Sequence, residues 1–469
     1  MSLRIRRTAA TLSSRAASLL FVLPSALALA SLLASQACVI RLNDRNEPLE
    51  NGGVTGPDAD CSTVTPPSKG GPGAGPAVTK LVGRYDLKDP TKPRFDWSGN
   101  YMTARFEGTS VSFGVETGIE QVLELVLDNG APEQVILGGL SPLTKDVIVP
   151  EGIHEITVMR SSEALFGDMA FVPFTFGSGT KQLPPTERPR RIEYIGDSIT
   201  CGYGNEGANA TCPYDITIRT VKVTKKVLDK DGKEVLKEVE EDVKIPETQN
   251  VYLAYGSLAA RQLSAEATTL CFSGKGVVLN YREVGFGNGR QIIKDVVPDP
   301  DATTTIPEYY LRTVATERPG ANGENLHDFT KDNPLPQVVV INIGTNDFAR
   351  DVDQDTIADG IDLGAFRDGY KKFVEFVRSK RPDAHIFVAL PPMLSDKFPL
   401  DNARSNFRSV LKDVAASSNA AGDQKVYFIE LVEMGVRYGL GCDYHPNLAV
   451  HQIMADQVAG AIRKKTCWD

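Results

Sequence analysis

The chain of 469 residues has few of the side chains from which metal centres and nucleic-acid surfaces are built. Its five histidines are scattered, and its seven cysteines never occur as C-x-x-C. These spacings do not match the common zinc motifs, so we expect no metal and no other cofactor. Lysine and arginine total 51 against 60 aspartates and glutamates, a net charge of −9. This acidic balance argues against a nucleic-acid partner, because nucleic acids are bound by clustered positive charge.

The N-terminus, residues 1–38, has the pattern of an export signal. Arg4, Arg6 and Arg7 form a positive region ahead of an apolar run from about Ala16 to Leu33, and small residues lead to Cys38. This order is typical of a cleaved signal peptide, and a cysteine directly after the cut resembles a bacterial lipobox. Three interpretations stay open, namely a lipoprotein held at a membrane through lipidated Cys38, simple secretion, or a retained anchor helix. Alanine, serine and proline dilute the apolar run and argue against the anchor helix. We expect the mature protein to lie outside the cytoplasm.

Six cysteines remain when Cys38 is set aside, an even number in a compartment that permits disulfides. The sequence alone leaves their pairing open. Proximity along the chain favours Cys201–Cys212 and Cys442–Cys467, and a Cys201–Cys442 pair is an alternative.

Changes in composition divide the mature chain. Residues 39–78 are rich in glycine, proline and small polar residues, which predicts a flexible tether. Residues 79–182 contain short alternating segments separated by turn residues, among them Asp-Asn-Gly, and predict a β-sandwich of jelly-roll type. Residues 183–190 are interpreted as a linker, and residues 191–469 as an α/β domain.

In the α/β domain, apolar strands alternate with amphipathic helices, which is typical of a parallel sheet covered on both faces. The predicted strands are Arg191–Asp197, Thr268–Ser273, Gln337–Ile343, His385–Leu390 and Lys425–Leu431. The predicted helices are Val251–Leu263, Leu363–Lys380, Ala403–Ala416 and Leu448–Lys465. An insertion at about 220–246 interleaves valine with charged residues. We interpret it as a solvated hairpin of strands or of short helices, and a lid that contacts substrate is the alternative.

Four turns carry the residue types that ester hydrolysis requires. Three follow predicted strands and one precedes the last helix: Gly196–Asp197–Ser198, Phe272–Gly276, Asn342–Asp347 and Gly441–Asn447. The carboxyl ends of parallel strands meet at one rim, so these turns should converge there. They would bring together a serine hydroxyl, a glycine backbone, an amide and a histidine. Ester hydrolysis needs a nucleophile, a base and donors for the developing oxyanion, and this set supplies all three.

The four turns resemble blocks I, II, III and V of the SGNH (GDSL-type) hydrolases. With "RFDWSGNYMTARFEGTSVSF" (94–113) in the β domain, the chain more narrowly resembles carbohydrate esterase family 2. The resemblance implies a flavodoxin-like α/β/α fold preceded by a jelly roll, and a serine esterase that removes O-acetyl groups from polysaccharides or sugars. We expect a monomer that acts on acetylated carbohydrate. A lipase or thioesterase on the same fold, or a glycan-binding lipoprotein with an inactive hydrolase domain, are the alternatives.

Residue by residue, the resemblance makes Ser198 the nucleophile and His445 the base. The oxyanion donors are then the N–H groups of Ser198 and Gly274 and the side-chain amide of Asn346. Glycine suits such a site because it lets the backbone approach closely, and an amide can donate at any ordinary pH.

The sequence departs from the resemblance at one position. The superfamily places its acid three residues before the histidine, where this chain has Cys442. Asp443 is the candidate for orienting His445 in a triad, and a Ser–His dyad held by a backbone carbonyl is the alternative.

Several further residues have weaker assignments. Tyr203, Trp97 and Tyr309 are candidates for stacking against a sugar ring. Asp197 and Asp347 are interpreted as residues that fix loops, because short carboxylates accept hydrogen bonds from local backbone N–H groups.

Overall fold

The computed structural model describes residues 53–62, 64–139, 141–213, 216–228, 230, 232–246, 248–281, 304–332, 334–349, 360–435 and 437–469. All of these fall within one unit, Asn51–Asp469. The predicted signal peptide with Cys38 lies outside the described residues, as do residues 39–52 of the predicted tether. Across the described ranges, no helix is both long enough and apolar enough to cross a membrane.

The N-terminal domain is an eight-stranded antiparallel sheet that folds into the predicted jelly-roll sandwich. Its strands are β1 (Lys80–Val82), β2 (Arg94–Phe95), β3 (Tyr101–Glu116), β4 (Glu120–Leu127), β5 (Glu133–Gly138), β6 (Thr144–Arg160), β7 (Met169–Phe176) and β8 (Lys181–Leu183). They run in the order β2-β7-β3-β6-β4-β5, and β1 and β8 also pair with β3. The alternation along the strands puts one apolar face into a shared core.

The predicted Asp-Asn-Gly turn joins β4 to β5. Asp128 and Asn129 have φ values of 52° and 57°, and the Gly130 N–H donates to the carbonyl of Leu127 at 2.8 Å. Two consecutive positive φ values characterise the tight turn that matches the twist of a hairpin, and these residue types adopt it readily.

The C-terminal domain is a parallel sheet with helices on both faces. Its first strand, β9 (Arg190–Gly196), is followed by the helical turn α1 (Ser198–Cys201) and a hairpin of β10 (Ile216–Leu228) and β11 (Glu234–Ile245). The remaining strands are β12 (Ala265–Cys271), β13 (Val338–Asn342), β14 (His385–Leu390) and β15 (Val426–Glu430). The remaining helices are α2 (Tyr255–Gln262), α3 (Ile306–Tyr309), α4 (Thr345–Phe348), α5 (Leu363–Lys380), α6 (Ala403–Ala420) and α7 (Leu448–Thr466).

The strand order in this sheet is β12-β9-β13-β14-β15, and all neighbours are parallel. Helices α5 and α6 supply apolar side chains to the core on one face, and α2 and α7 supply those on the other. The predicted three-layer α/β/α arrangement is thereby confirmed. Because all five strands run the same way, their carboxyl ends lie at a single rim.

The insertion at 220–246 forms the antiparallel pair β10–β11, so the interpretation as a hairpin of strands is confirmed. Exposed ion pairs cross it, including Lys222–Glu238 at 3.2 Å and Lys226–Glu234 at 3.0 Å. At its base, Arg219 contacts Glu120 of the β domain. The alternative of a lid that contacts substrate stays a prediction.

The two domains share a buried polar interface. The fully buried carboxylate of Asp96 accepts the N–H groups of Ala315 and Thr316 at 2.6 and 2.8 Å. It also accepts the Thr316 hydroxyl at 2.8 Å. Nearby, the buried guanidinium of Arg84 donates to the Tyr310 carbonyl at 2.5 Å. Buried polar groups are costly unless paired, so these contacts favour one fixed arrangement of the domains.

Residues 54–62 and 64–69 lie against the α/β domain, which corrects the prediction of a flexible tether for this part of 39–78. The N–H of Thr55 donates to the carbonyl of Phe428 at 3.0 Å, beside the edge strand β15. The Lys465 ammonium donates to two backbone carbonyls of the segment at 2.6 and 2.7 Å. The Cys61–Cys467 disulfide also ties this segment to the α/β domain. Composition could not predict these contacts because several of the anchoring groups are backbone atoms, which every residue type carries.

The six described cysteines form three disulfides, none of them predicted. The bonds join Cys61 to Cys467, Cys201 to Cys271, and Cys212 to Cys442. The predicted pairs Cys201–Cys212, Cys442–Cys467 and Cys201–Cys442 are therefore wrong. The fold brings together loops 70 to 406 residues apart, so proximity in the sequence had no bearing on the pairing.

Candidate active site

Ser198 stands at the point where β9 gives way to a helical turn. Asp197 caps this turn, because its carboxylate accepts the Ile199 N–H at 3.0 Å. Gly196 is required just before it, since a Cβ there would lie 2.0 Å from the Thr200 hydroxyl oxygen. The side chains of Asp197 and Thr200 are almost fully buried, whereas Ser198 keeps 8% of its surface exposed. The turn therefore fixes the serine at the rim of the sheet.

His445 is hydrogen-bonded on both sides of its ring. Its Nε2 lies 2.9 Å from Ser198 Oγ, and its Nδ1 lies 2.9 Å from the backbone carbonyl oxygen of Asp443. A carbonyl only accepts, so Nδ1 carries the proton and Nε2 is left free to accept from the serine hydroxyl. Asp443 and Tyr444 have φ values of 52° and 59°, and this left-handed path turns the Asp443 carbonyl back toward the imidazole.

The carboxylate of Asp443 has a different neighbour. It accepts the Tyr203 hydroxyl at 2.8 Å, and the Tyr203 ring centroid lies 4.4 Å from that of the His445 imidazole. The main-chain carbonyl of Asp443 thus holds His445 in the way that the dyad alternative expects. The role of the Asp443 carboxylate as a triad acid stays a prediction.

The turn Phe272–Gly276 presents one backbone N–H that lacks an acceptor. Between Phe272 and Leu279, the other N–H groups donate to Gly196, Glu163, Phe272, Asn280 and Asp347. Among the described residues, the Gly274 N–H donates no hydrogen bond. Gly274 has φ 77°, a conformation that favours glycine. A free donor in a fixed turn is what an oxyanion site requires.

Asn346 and Asp347 lie side by side in α4 and hold this turn. The Asn346 amide nitrogen lies 2.9 Å from the Lys275 carbonyl oxygen and 3.4 Å from an Asp197 carboxylate oxygen. The Asp347 carboxylate accepts three consecutive N–H groups, those of residues 277–279, at 2.8 to 2.9 Å. The predicted loop-fixing roles of Asp347 and Asp197 are thereby confirmed.

Both carboxylates are removed from water. Burial raises the pKa of Asp197 to about 7, and the nearby charge of Asp347 adds to the effect. Burial raises the pKa of Asp347 to about 6, against the opposing effect of its three backbone donors. A charged carboxylate in a dry site costs free energy, so burial opposes the ionisation of both Asp197 and Asp347.

Two of the three aromatic candidates are in the core. Trp97 and Tyr309 have no exposed surface, and the Tyr309 ring packs on Phe272 with centroids 4.7 Å apart. Neither ring offers a face to a sugar, so these predictions are wrong. Aromatic residues fill cores more often than they line clefts, and a single sequence cannot separate the two. Tyr203, which packs on His445, is the candidate that adjoins the site.

Sequence reasoning missed two groups that hold the site. The carboxylate of Glu163, from the β domain, accepts the N–H of Ser273 at 2.8 Å and also its hydroxyl. The disulfide Cys212–Cys442 ties the turn that carries His445 to the loop after Ser198. The signal for the second was present, since Cys442 occupies the position where the resemblance led us to expect an acid. Glu163 had no signal, because nothing in its own segment indicates a contact 110 residues away.

Other concave sites lie away from this rim. A cavity of about 270 Å³ is lined by residues that precede β13 and β14, including Gln337 and Trp468. A second, of about 230 Å³, lies between the domains near Arg84 and Arg191. Both are at the amino ends of strands, opposite Ser198. Within the described part of the chain, no group of three or more His, Cys, Asp or Glu side chains is arranged to hold a metal ion.

Known families match both domains. The family described as "Carbohydrate esterase 2 N-terminal" matches residues 81–185, and the GDSL-like lipase/acylhydrolase family matches residues 194–453, more than half of the chain. A solved family two carbohydrate esterase from Clostridium thermocellum, in complex with cellohexaose, is 31% identical. The match covers 84% of this chain and 100% of that one, with a TM-score of 0.62. The chain belongs to carbohydrate esterase family 2.

Two other relatives of this family 2 chain are similar along most of its length. Cellulase/esterase CelE of Acetivibrio thermocellus is 32% identical over 387 residues, 82% of this chain. The match spans only 39% of CelE. An acetylxylan esterase/glucomannan deacetylase of Cellvibrio japonicus is 25% identical over 378 residues, 80% of this chain and 87% of that protein.

Proposed function

We propose that this family 2 chain is a serine esterase that removes O-acetyl groups from polysaccharides or sugars. The observation that carries the proposal is the 2.9 Å contact between Ser198 Oγ and His445 Nε2 at the rim of the sheet. The names of its relatives, an acetylxylan esterase/glucomannan deacetylase and a cellulase/esterase, support acetylated carbohydrate as the substrate class.

In the first half of the reaction, Ser198 Oγ attacks the acetyl carbonyl carbon while its proton passes to His445 Nε2. The carbonyl oxygen becomes an oxyanion, and the N–H groups of Ser198 and Gly274 donate to it. The Asn346 amide donates as well when it exchanges its 3.4 Å contact with Asp197 for the oxyanion. When the tetrahedral intermediate collapses, the bond to the sugar oxygen breaks. That oxygen leaves with the proton held by His445, and the acetyl group stays on Ser198.

In the second half, a water molecule attacks the acetyl–Ser198 carbonyl as His445 takes one of its protons. The same donors stabilise the second oxyanion, and acetate leaves as Ser198 regains its proton. Throughout, the Asp443 carbonyl holds the His445 ring in one orientation and offsets part of the positive charge on the imidazolium. The balance of atoms is ester plus water giving acetate plus the free sugar hydroxyl.

Acetate release from acetylated xylan, acetylated glucomannan and acetylated monosaccharides tests this function. We expect the wild-type protein to release acetate from at least one of them, and Ser198→Ala to lower the rate by roughly 10⁴-fold or more. Acetate release that survives in a correctly folded Ser198→Ala protein would contradict the mechanism. Binding of a polysaccharide without acetate release from any substrate would favour the glycan-binding alternative.

The lipase alternative is separated by acyl chain length. We expect 4-nitrophenyl acetate to be hydrolysed with a higher kcat/KM than 4-nitrophenyl octanoate, because a deacetylase needs room for only two acyl carbons. A preference for the octanoyl ester would contradict the deacetylase assignment while leaving Ser198 and His445 as the reacting pair.

We further propose that the protein is exported and acts outside the cytoplasm as a monomer, attached through lipidated Cys38. Three disulfides support an oxidising compartment. Labelled palmitate supplied to a bacterial host should enter the wild-type protein and not Cys38→Ser. Unlabelled wild-type protein in the medium would favour simple secretion. Light scattering of the purified protein tests the monomer.

A further inference from the structure

A carboxylate of the β domain is buried directly beside the turn that carries Gly274. Glu163 follows β6 and keeps 1% of its surface exposed. Its carboxylate accepts the Ser273 N–H at 2.8 Å through one oxygen and the Ser273 hydroxyl through the other. Both oxygens thus bind the residue that immediately precedes Gly274.

Gly274 has no side chain to hold it, and a Cβ built at this position would meet nothing closer than 4.0 Å. Its carbonyl accepts the Tyr281 N–H at 2.8 Å. The turn is also fixed on its two flanks. Glu163 holds Ser273 on one side, and Asp347 holds residues 277–279 on the other. Together with the Asn346 contact to the Lys275 carbonyl, these anchors set the position of the free Gly274 N–H.

We propose that Glu163 is a positioning residue for the esterase reaction, through which the β domain sets the place of the Gly274 oxyanion donor. The proposal rests on the proposed function, because it assigns Glu163 to the same site. In this proposal the jelly-roll domain supplies one of the contacts that preorganise the donor before an ester arrives.

The chemistry of the contact supports a geometric role. A carboxylate away from water is costly unless donors surround it, and a hydrogen bond to a charged group is shorter and stronger than a neutral one. Ser273 donates two hydrogen bonds to the Glu163 carboxylate, so its position is fixed more tightly than apolar packing alone would fix it. Oxyanion donors are sensitive to such placement, since errors of about 1 Å can cost roughly 100-fold in rate.

The chain offers a matched control. Asp96 also belongs to the β domain, has no exposed surface, and accepts N–H groups and a hydroxyl from the α/β domain at 2.6 to 2.8 Å. Its donors are Ala315 and Thr316, outside the turn that carries Gly274. Substitutions of Asp96 and Glu163 should destabilise the domain interface comparably, but only those of Glu163 should change the reaction.

The experiment compares Glu163→Ala, Glu163→Gln and Asp96→Ala in the full chain. For Glu163→Ala we expect kcat to fall roughly 10- to 100-fold with KM changed less than about threefold. For Glu163→Gln we expect a smaller loss, because the amide oxygen still accepts one donor. For Asp96→Ala we expect kcat to be unchanged. Phosphonylation of Ser198 by a 4-nitrophenyl phosphonate, which also builds charge on an oxygen in the oxyanion site, should slow in parallel with kcat.

The outcomes separate this inference from the proposed function. Full kcat in Glu163→Ala, or equal losses in Glu163→Ala and Asp96→Ala, overturns the positioning role and leaves the esterase intact. Phosphonylation that slows in Glu163→Ala, in a protein that releases no acetate, overturns only the proposed substrate. A wild-type protein that neither releases acetate nor reacts with the phosphonate overturns both the proposed function and the positioning role. If the alanine variants do not fold, Glu163→Gln compared with Asp96→Asn decides by the same measurements.

Discussion

The imidazole Nδ1 of His445 lies 2.9 Å from the main-chain carbonyl oxygen of Asp443, two residues earlier in the chain. A carbonyl survives any side-chain substitution, so the orientation of His445 should not depend on the Asp443 carboxylate. We predict that Asp443→Asn keeps kcat/KM for 4-nitrophenyl acetate within about threefold of wild type. His445→Ala should lose roughly 10³-fold or more, because it removes the general base.

Asparagine is the appropriate substitution at this position. It tolerates the φ of 52°, and its amide oxygen can still accept the Tyr203 hydroxyl. Asp443→Ala would add backbone strain of about 1 kcal/mol and remove the Tyr203 contact. Any activity that Asp443→Ala loses beyond the loss in Asp443→Asn therefore reports on those two changes. A loss in Asp443→Asn as large as that in His445→Ala would establish a triad and contradict the dyad.

The Cys212–Cys442 disulfide should matter for catalysis as well as for stability. The Cys442 N–H donates to the Gly204 carbonyl and the Asp443 N–H to the Ala210 carbonyl, both at 3.0 Å. With these two hydrogen bonds, the disulfide forms a clasp that fixes the turn that carries His445 to the loop after Ser198. We predict that replacing both cysteines by serine lowers kcat about tenfold or more, because the imidazole is then held less narrowly against Ser198. Steady-state kinetics on 4-nitrophenyl acetate measures this.

The Cys61–Cys467 bond supplies the control, since it ties the N-terminal segment to the end of α7. Either double replacement should cost about 2–5 kcal/mol in the free energy of unfolding. Only the replacement at Cys212 and Cys442 should lower kcat. Equal kcat values in the two double variants, both folded, would show that the clasp has no role in placing His445.

Hydrophobic periodicity was sufficient to predict the layers of this fold. The predicted helix Leu363–Lys380 has the observed bounds, and each predicted strand overlaps an observed one. The signal was strong because a parallel sheet covered on both faces requires continuous apolar strands and one-sided helices. The predicted helix Val251–Leu263 was less accurate, since its first turn is a separate 3₁₀ turn that Asn250 caps. A local cap overrides periodicity at such an end.

The site could be predicted only where it depends on local sequence. Ser198, Gly274, Asn346 and His445 each lie in a turn that ends or begins an element, and the sheet brings those turns together. The contacts that hold them are long-range. Glu163 reaches Ser273 across 110 residues, and no local pattern encodes that contact. The burial of Trp97 and Tyr309 likewise depends on tertiary packing, which a list of aromatic positions does not contain.

Gly274 should be needed for its backbone conformation alone. Its φ is 77°, and a Cβ at this position would meet nothing closer than 4.0 Å, so Gly274→Ala adds strain without a clash. We predict a stability loss of about 1–2 kcal/mol and a kcat loss of roughly tenfold or more, because relief of the strain rotates the N–H away from the oxyanion. Denaturant unfolding and steady-state kinetics measure the two effects.

Gly179→Ala is the matched control for this variant. Gly179 has φ 82°, lies in the turn before β8, and would also place its Cβ in open space. It should lose about the same stability with kcat unchanged. If Gly179→Ala and Gly274→Ala both keep full kcat, the Gly274 N–H does not serve as an oxyanion donor.

The pKa of Asp197 predicts how stability should vary with pH. Burial raises this pKa to about 7 in the folded protein, above the value of about 3.9 expected in the unfolded chain. Between about pH 4 and 7 the folded state therefore holds a proton that the unfolded state has released, so this group loses stabilising effect as the pH rises. Asp197→Asn abolishes the titration, and its amide oxygen can still accept the Ile199 N–H. As the pH is raised through this window, the free energy of unfolding of the variant should rise relative to that of wild type by up to about 4 kcal/mol.

Denaturant unfolding of both proteins at intervals from pH 5 to 8 tests this, with the difference in unfolding free energy as the measured quantity. Asp469→Asn is the control of opposite sign. A hydrogen bond from Arg190 lowers the pKa of Asp469 to about 2, so its contribution is lost only as the pH falls below about 4. Its difference from wild type should be flat over pH 5 to 8. A flat difference for Asp197→Asn as well would mean that Asp197 is ionised throughout this range and that its burial is compensated by donors near Ser198.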